Sequence, residues 1–299
     1  MRELTATASP ADAGRLVKYF VRGGMGVSYH QFASLKRREG IRVNGMPVHA
    51  NHVLAAGDVV SVLLDEPERE TAILPDPTPV DVVWEDADIL IIDKPAPLAC
   101  QCSARQEGMT LENRLAWRYR DVPGFVFRPL NRLDKGTSGL MAAAKNAHVA
   151  QLLQKQLHTD TFVREYLAVA EGVLEGEGII DAPIAKADGP TVRRAVDFER
   201  GKPAVTHYRA VGTDGRRTLV RLRLETGRTH QIRVHLSHLG HPIAGDFLYG
   251  AEDPALPGRF ALHSTRVRLV HPVTGEAIDV ESPLPPELAA LMDIPTEKG

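Results

Sequence analysis

The pattern of apolar residues predicts an α+β fold: a mixed, mostly antiparallel sheet domain, preceded by a small α/β unit. Three observations carry this. Short strand-like runs, such as 59–64 and 89–92, are separated by helical patterns irregularly rather than in strict alternation, which disfavours a doubly wound sheet. Hairpin-type turns, Asn44-Gly45 and Thr213-Asp214-Gly215, join several of the runs. The helical patterns are few and short, over 110–117, 148–158 and 229–239.

Taken in order, residues 1–65 read as a unit of their own. Ser28 followed by Gln31 is a capping box, with Val27 stapled to Phe32, so a helix starts at Tyr29 and turns Phe32 and Leu35 inward. Ile41-Arg42-Val43 runs into Asn44-Gly45, and Ala56-Gly57-Asp58 precedes the apolar strand over 59–64. Residues 66–80 are acidic and proline-bearing without amphipathic periodicity, hence a linker. The main domain spans 81–290, with 291–299 as a tail. Its strands fall at 81–84, paired with 89–93, and at 166–170, 204–211, 218–225, 260–270 and 277–280. Thr110 caps a helix carrying Leu111, Leu115 and Trp117. A second helix turns Val149, Leu152, Leu153 and Leu157 to one face, and Gly240 stops the third.

With 299 residues, 43% hydrophobic and 25% charged, the chain has the composition of a globular protein. A formal net charge of -2 gives no global nucleic-acid footprint, so an RNA surface must be a local patch. Lys36, Arg37, Arg38 and Arg42 form the densest cationic cluster; they are either an RNA-facing edge or a helix end whose cations offset the dipole. Cys100 and Cys102 are too close for a sound disulfide and read as reduced thiols. No signal-peptide core or membrane-length run is present, and a cytoplasmic, monomeric protein is expected.

The chemistry gathers in two stretches. Asn131-Arg132-Leu133-Asp134-Lys135-Gly136-Thr137-Ser138-Gly139 sets one carboxylate in a Gly/Ser/Thr loop. Later comes Thr226-Gly227-Arg228-Thr229-His230-Gln231-Ile232-Arg233. Between them lies Arg164-Glu165-Tyr166-Leu167-Ala168, and after them Gly240-His241-Pro242-Ile243-Ala244-Gly245-Asp246 with Tyr249-Gly250, then Leu262-His263-Ser264. Alone, Asp134 would pass for a turn residue. Together and in this order, the stretches closely resemble the signature of RluA-like RNA pseudouridine synthases. Asn131 departs from the usual His, and Pro97 and Gln101 replace a Gly and a His of an earlier motif.

The resemblance implies the pseudouridine synthase fold and a reaction that isomerises uridine in RNA to pseudouridine with no cofactor. It implies Asp134 as nucleophile, Arg233 as its ion-pair partner, favouring the charged form, and Tyr166 against the uracil ring, assisting proton removal from C5. Arg132 would fill the gap left by the flipped base. Thr137, Ser138, Arg228, His230 and Gln231 would position the loop and nearby phosphates, or serve as structural hydrogen-bonding residues. Residues 1–65 look like an S4 RNA-binding domain, which places ribosomal RNA before transfer RNA as substrate. A metal at His230, His235, His238 and His241 is set aside, since only His235 and His238 share a helix face and no carboxylate or cysteine completes the set. Two rivals stand beside this reading: an RNA binder that has lost catalysis, and a nucleoside glycosidase, which would need two carboxylates flanking the bond.

Overall fold

The computed structural model describes residues 3–64, 73–102, 109–157 and 159–292. Residues 66–72 of the expected linker, 293–299 of the expected tail and His158 at the end of an expected helix lie outside them.

The N-terminal unit is a four-stranded sheet, order β1-β4-β2-β3, under two helices. Strand β1 (Glu3–Thr7) precedes a helical turn α1 (Val17–Tyr19), which runs into a π-helical turn at Phe20–Gly24. Helix α2 (Tyr29–Arg37) opens with the expected capping box: the Ser28 hydroxyl accepts from Gln31 N at 3.2 Å. Strands β2 (Ile41–Val43) and β3 (Met46–Pro47) meet at Asn44-Gly45, both at positive φ, and β4 (Val59–Leu63) closes the sheet. Val17, Phe20, Phe32, Leu35, Val60 and Val62 form a core separate from that of the main domain. The cationic edge divides in two. Lys36 and Arg37 are exposed, but Arg38 donates to Leu63 O at 3.0 Å and Arg42 to Glu3 at 3.3 Å. Those two guanidiniums hold the unit's own backbone and β1 and do not form a free edge.

The main domain is built on one ten-stranded sheet, order β10-β13-β14-β9-β15-β8-β6-β5 with β7 and β16 attached, beside a small sheet in which β11 pairs with β12. Its first elements are β5 (Asp81–Glu85), β6 (Ile89–Lys94), α3 (Leu111–Arg118), β7 (Arg128–Pro129), β8 (Ser138–Ala144), α4 (Ala147–Gln156) and β9 (Val163–Glu171). There follow β10 (Glu177–Asp181), β11 (Ile184–Lys186), β12 (Arg194–Val196), β13 (Val205–Thr213), β14 (Arg217–Leu224) and α5 (Gln231–His238). Strands β15 (Leu262–Val270) and β16 (Ala277–Glu281) and helix α6 (Pro286–Ala289) complete it. Every pairing is antiparallel except β8 with β15, so the expected mixed, mostly antiparallel sheet is present.

That parallel pair positions the site. Gly139 has φ +104° and packs so closely that a Cβ there would lie 2.3 Å from Ser264 O. Only glycine lets β15 cross at this point, bringing Ser264 and Tyr166 beside the start of β8, a few residues after Asp134.

Candidate active site

The Asp134 loop is tied down from both sides. Leu130 N donates to Ala142 O at 2.9 Å and Asn131 Oδ1 accepts from Ala142 N at 3.1 Å, anchoring its start to β8. Thr137 N donates back to Asp134 O at 3.0 Å, closing the turn. On the other side, Leu98 N reaches Lys135 O at 2.9 Å and the Cys100 thiol reaches Leu133 O at 3.1 Å. Lys94, fully buried, shapes that supporting segment by donating to Pro95 O and Leu98 O at 3.0 and 2.8 Å. Burial pulls its ammonium down to about 8.

Helix α5 supplies the counter-charge. Arg233, 3% exposed, points Nη1 at Asp134 Oδ2 across 3.1 Å. Its other edge grips the fully buried Asp246 in two parallel bonds, Nε–Oδ2 at 2.7 Å and Nη2–Oδ1 at 2.8 Å. A two-point grip of this kind fixes the plane of the guanidinium. The Phe260 ring lies 4.1 Å below it. Asp134 keeps 27% of its side chain exposed, so the pair has one partner locked and one facing solvent.

His230 stands over the same oxygen, its Nε2 at 3.9 Å from Asp134 Oδ2. Its tautomer follows from its neighbours. The Tyr249 hydroxyl accepts from Arg194 N at 2.8 Å, which leaves its own proton for His230 Nδ1, also at 2.8 Å. The ring proton therefore sits on Nε2, facing the carboxylate. Burial is the main influence on this imidazole and lowers its pKa, against the pull of Asp134.

Asp134 lies in a cleft of about 840 Å³, whose described lining includes Arg132, Lys135, Arg164, Tyr166 and Arg228 and no other carboxylate. Arg132 is exposed there, and Arg228 is held through Nε to Pro203 O at 2.9 Å. Tyr166, 4% exposed, forms part of the wall, and burial holds its phenol above the usual value of 10.

Three of the expected loop-positioning residues are used inside the protein. The Ser138 hydroxyl accepts from Arg259 at 2.9 Å and meets His263 Nδ1 at 3.0 Å. Gln231 spends its amide on Thr226, Arg228 N, Val205 O and Thr206. Thr137 is 2% exposed behind the turn. These residues hold the scaffold and do not line the cleft. Asp246 and Arg164 are the functional candidates that the sequence reading left without a role. A signal for Arg164 existed, because it sits two residues before Tyr166 on one strand and so shares its face. Asp246 stood in a quoted motif, but its grip on Arg233, thirteen residues away, is visible only in the fold.

A cleft whose described residues supply four basic side chains and a single carboxylate suits a polyanionic substrate and an enzyme working through one acid group. A water-using glycosidase would need a second carboxylate. The model of the RNA pseudouridylate synthase family matches residues 88–238. An uncharacterized RNA pseudouridine synthase, YhcT of Bacillus subtilis (strain 168), is 40% identical over 256 residues, covering 84% of this chain and 83% of the relative. Ribosomal large subunit pseudouridine synthase D of Haemophilus ducreyi is 39% identical over 274 residues, covering 85% and 82%. The solved structure of Human RNA Pseudouridylate Synthase Domain Containing 1 is similar with a TM-score of 0.58 at 27% identity, covering 73% of this chain and 89% of that one. The chain belongs to the RNA pseudouridylate synthase family and is an isomerase that converts uridine in RNA to pseudouridine.

Proposed function

We propose that this enzyme modifies ribosomal RNA, with Asp134 as nucleophile and Arg233 as the cation that holds it charged and oriented. The observation that carries the reading is the 3.1 Å contact between Arg233 Nη1 and Asp134 Oδ2 on the floor of an open basic cleft. Isomerisation breaks the N1–C1′ bond, turns the base and rejoins it through C5, with no group leaving the site. One carboxylate held ionised by an arginine meets that demand. Tyr166 packs against the flipped uracil, Arg132 enters the space the base leaves, and Arg228 meets a neighbouring phosphate.

Ribosomal RNA is favoured because the similar H. ducreyi enzyme carries the name of a large-subunit synthase. Residues 1–65 act as an S4-like RNA-holding domain, with Lys36 and Arg37 on its exposed side, and residues 81–290 perform the chemistry. The protein works as a cytoplasmic monomer; among the described residues no helix is long and apolar enough to cross a membrane. The test is pseudouridine mapping of total RNA from cells with the wild type, with Asp134→Asn and without the protein. Sites in large-subunit ribosomal RNA that vanish together in the last two support the reading; sites confined to transfer RNA would reassign the substrate.

A further inference from the structure

The first helical turns of the N-terminal unit carry a surface that the site above leaves unused. From Ala13 to Arg38 the sequence holds six lysines and arginines and no aspartate or glutamate, in a chain of net charge -2. Two tyrosines project from this stretch, Tyr19 at 53% and Tyr29 at 65% exposure. Rings so exposed add little to the core, which Phe20, Phe32 and Leu35 already fill. A cation accompanies each: Lys18 Nζ lies 4.9 Å from the centre of the Tyr19 ring, and the Arg22 guanidinium 5.4 Å from that of Tyr29.

Arg15 ties together the backbone segments that carry Tyr19 and Arg22. Arg15 Nη2 donates to Tyr19 O at 3.1 Å, and the same nitrogen lies 3.2 Å from where a Cβ on Gly23 would stand. The π-helical turn leaves Arg22, Gly23 and Gly24 exposed, and such turns recur at functional sites. The same unit touches a helix that reaches the cleft. Gln151 of α4 donates to Gly26 O at 3.2 Å, and Gln154 on the same helix, about 4.5 Å further along its axis, lines the cleft.

We propose that this surface binds unpaired nucleotides flanking the target uridine, with Tyr19 and Tyr29 each stacking on a base and Lys18 and Arg22 meeting the phosphates between them. The proposal rests on the RNA-substrate reading. Aromatic faces set among cations take bases of any sequence, whereas a duplex keeps its base faces stacked inside and offers them to no ring. An RNA single strand is therefore the occupant that fits.

The test uses the full-length protein, a fluorescein-labelled oligouridylate and an RNA duplex of equal length, titrated across a range of salt. Replacing Tyr19 and Tyr29 together with alanine should weaken oligouridylate binding by about 10- to 100-fold, leaving the salt dependence unchanged because no ion contact is lost. The paired phenylalanine variant should bind within about twofold of wild type, since the stacking face remains. Lys18→Ala with Arg22→Ala should weaken binding and flatten the slope of log K against log salt by about 1.4. Unchanged melting temperatures, expected for exposed side chains, exclude misfolding. Wild-type affinity in the alanine pair, or an equal loss of duplex binding, would overturn the proposal. The underlying reading is tested separately, by wild-type conversion of uridine in large-subunit ribosomal RNA. If that conversion occurs while the alanine pair binds oligouridylate normally, only the stacking surface falls. If wild type neither binds nor converts RNA, both fall.

Discussion

Arg233 at 3.1 Å and His230 at 3.9 Å both approach Asp134 at the same oxygen, Oδ2. Replacing Asp134 with asparagine removes the carboxylate at constant shape and so tests its proposed role as nucleophile. Folding and RNA binding should persist while tritium release from C5-labelled uridine falls to background; wild-type release would remove the residue from the mechanism. Asp246 is a different case, because its loss leaves Arg233 buried with only a partly exposed partner. Asp246→Ala should cost about 3–5 kcal/mol of stability, as breaking a buried ion pair does, and activity with it. Urea denaturation measures the first. Tyr249→Phe deletes the hydroxyl that fixes the His230 proton on Nε2. Turnover should fall with the RNA dissociation constant unchanged, and equal turnover would show that the tautomer is irrelevant. Of these residues Asp134 and Arg233 were legible from ordered motifs. The scaffold roles of Ser138 and Gln231 were not, because a polar side chain in a loop reads alike whether its partner is substrate or backbone.

At the scale of elements, the segment hardest to read was β8. Its last three residues, Ala142, Ala143 and Ala144, lack the β-branched shape that marks a strand, yet every residue from Ser138 to Ala144 is buried between β6, β7 and β15. Tertiary pairing makes it a strand. Strand β1 escaped notice for the converse reason: its Glu3–Thr7 alternation is only partly apolar, and pairing with β4 decides it. The capped helices were legible, since Ser28 and Thr110 start α2 and α3 through contacts within four residues. Gly139 shows what the β8–β15 crossing demands. Gly139→Ala forces a Cβ against Ser264 O at a positive φ, and should cost well over about 1 kcal/mol and lower turnover by displacing the Asp134 loop. A crystal structure of the variant with the loop unmoved and full activity would contradict this.

Across the whole molecule, three histidines, His148, His235 and His263, are 2%, 0% and 1% exposed, and burial is the first cause lowering each below 6.5. Their folded pKa values lie below the unfolded one, so the unfolded chain binds more protons as the medium acidifies. Stability should therefore be intact above pH 6.5 and decline as pH falls from there toward the folded values, by up to about 1.4 kcal/mol per pH unit for each group. The urea midpoint measured between about pH 7.5 and pH 5.5 checks this. A flat profile would mean that these imidazoles ionise in place, and His235→Gln should shallow the slope.

The sequence by itself determined the fold class, the order of the motifs and the reaction, because strand alternation, capping boxes and turns are local, and the motif residues keep their order along the chain. Tertiary structure decided how the side chains meet. Arg233 lies 99 residues from Asp134, and the grip of Asp246 upon it needs helix α5 and the following loop packed against the loop before β8. It also decided that Arg38 and Arg42 serve the N-terminal unit while Tyr19 and Tyr29 face outward. Charge and ring count are written in the sequence; exposure is a property of the packed chain, set by what competes for each surface.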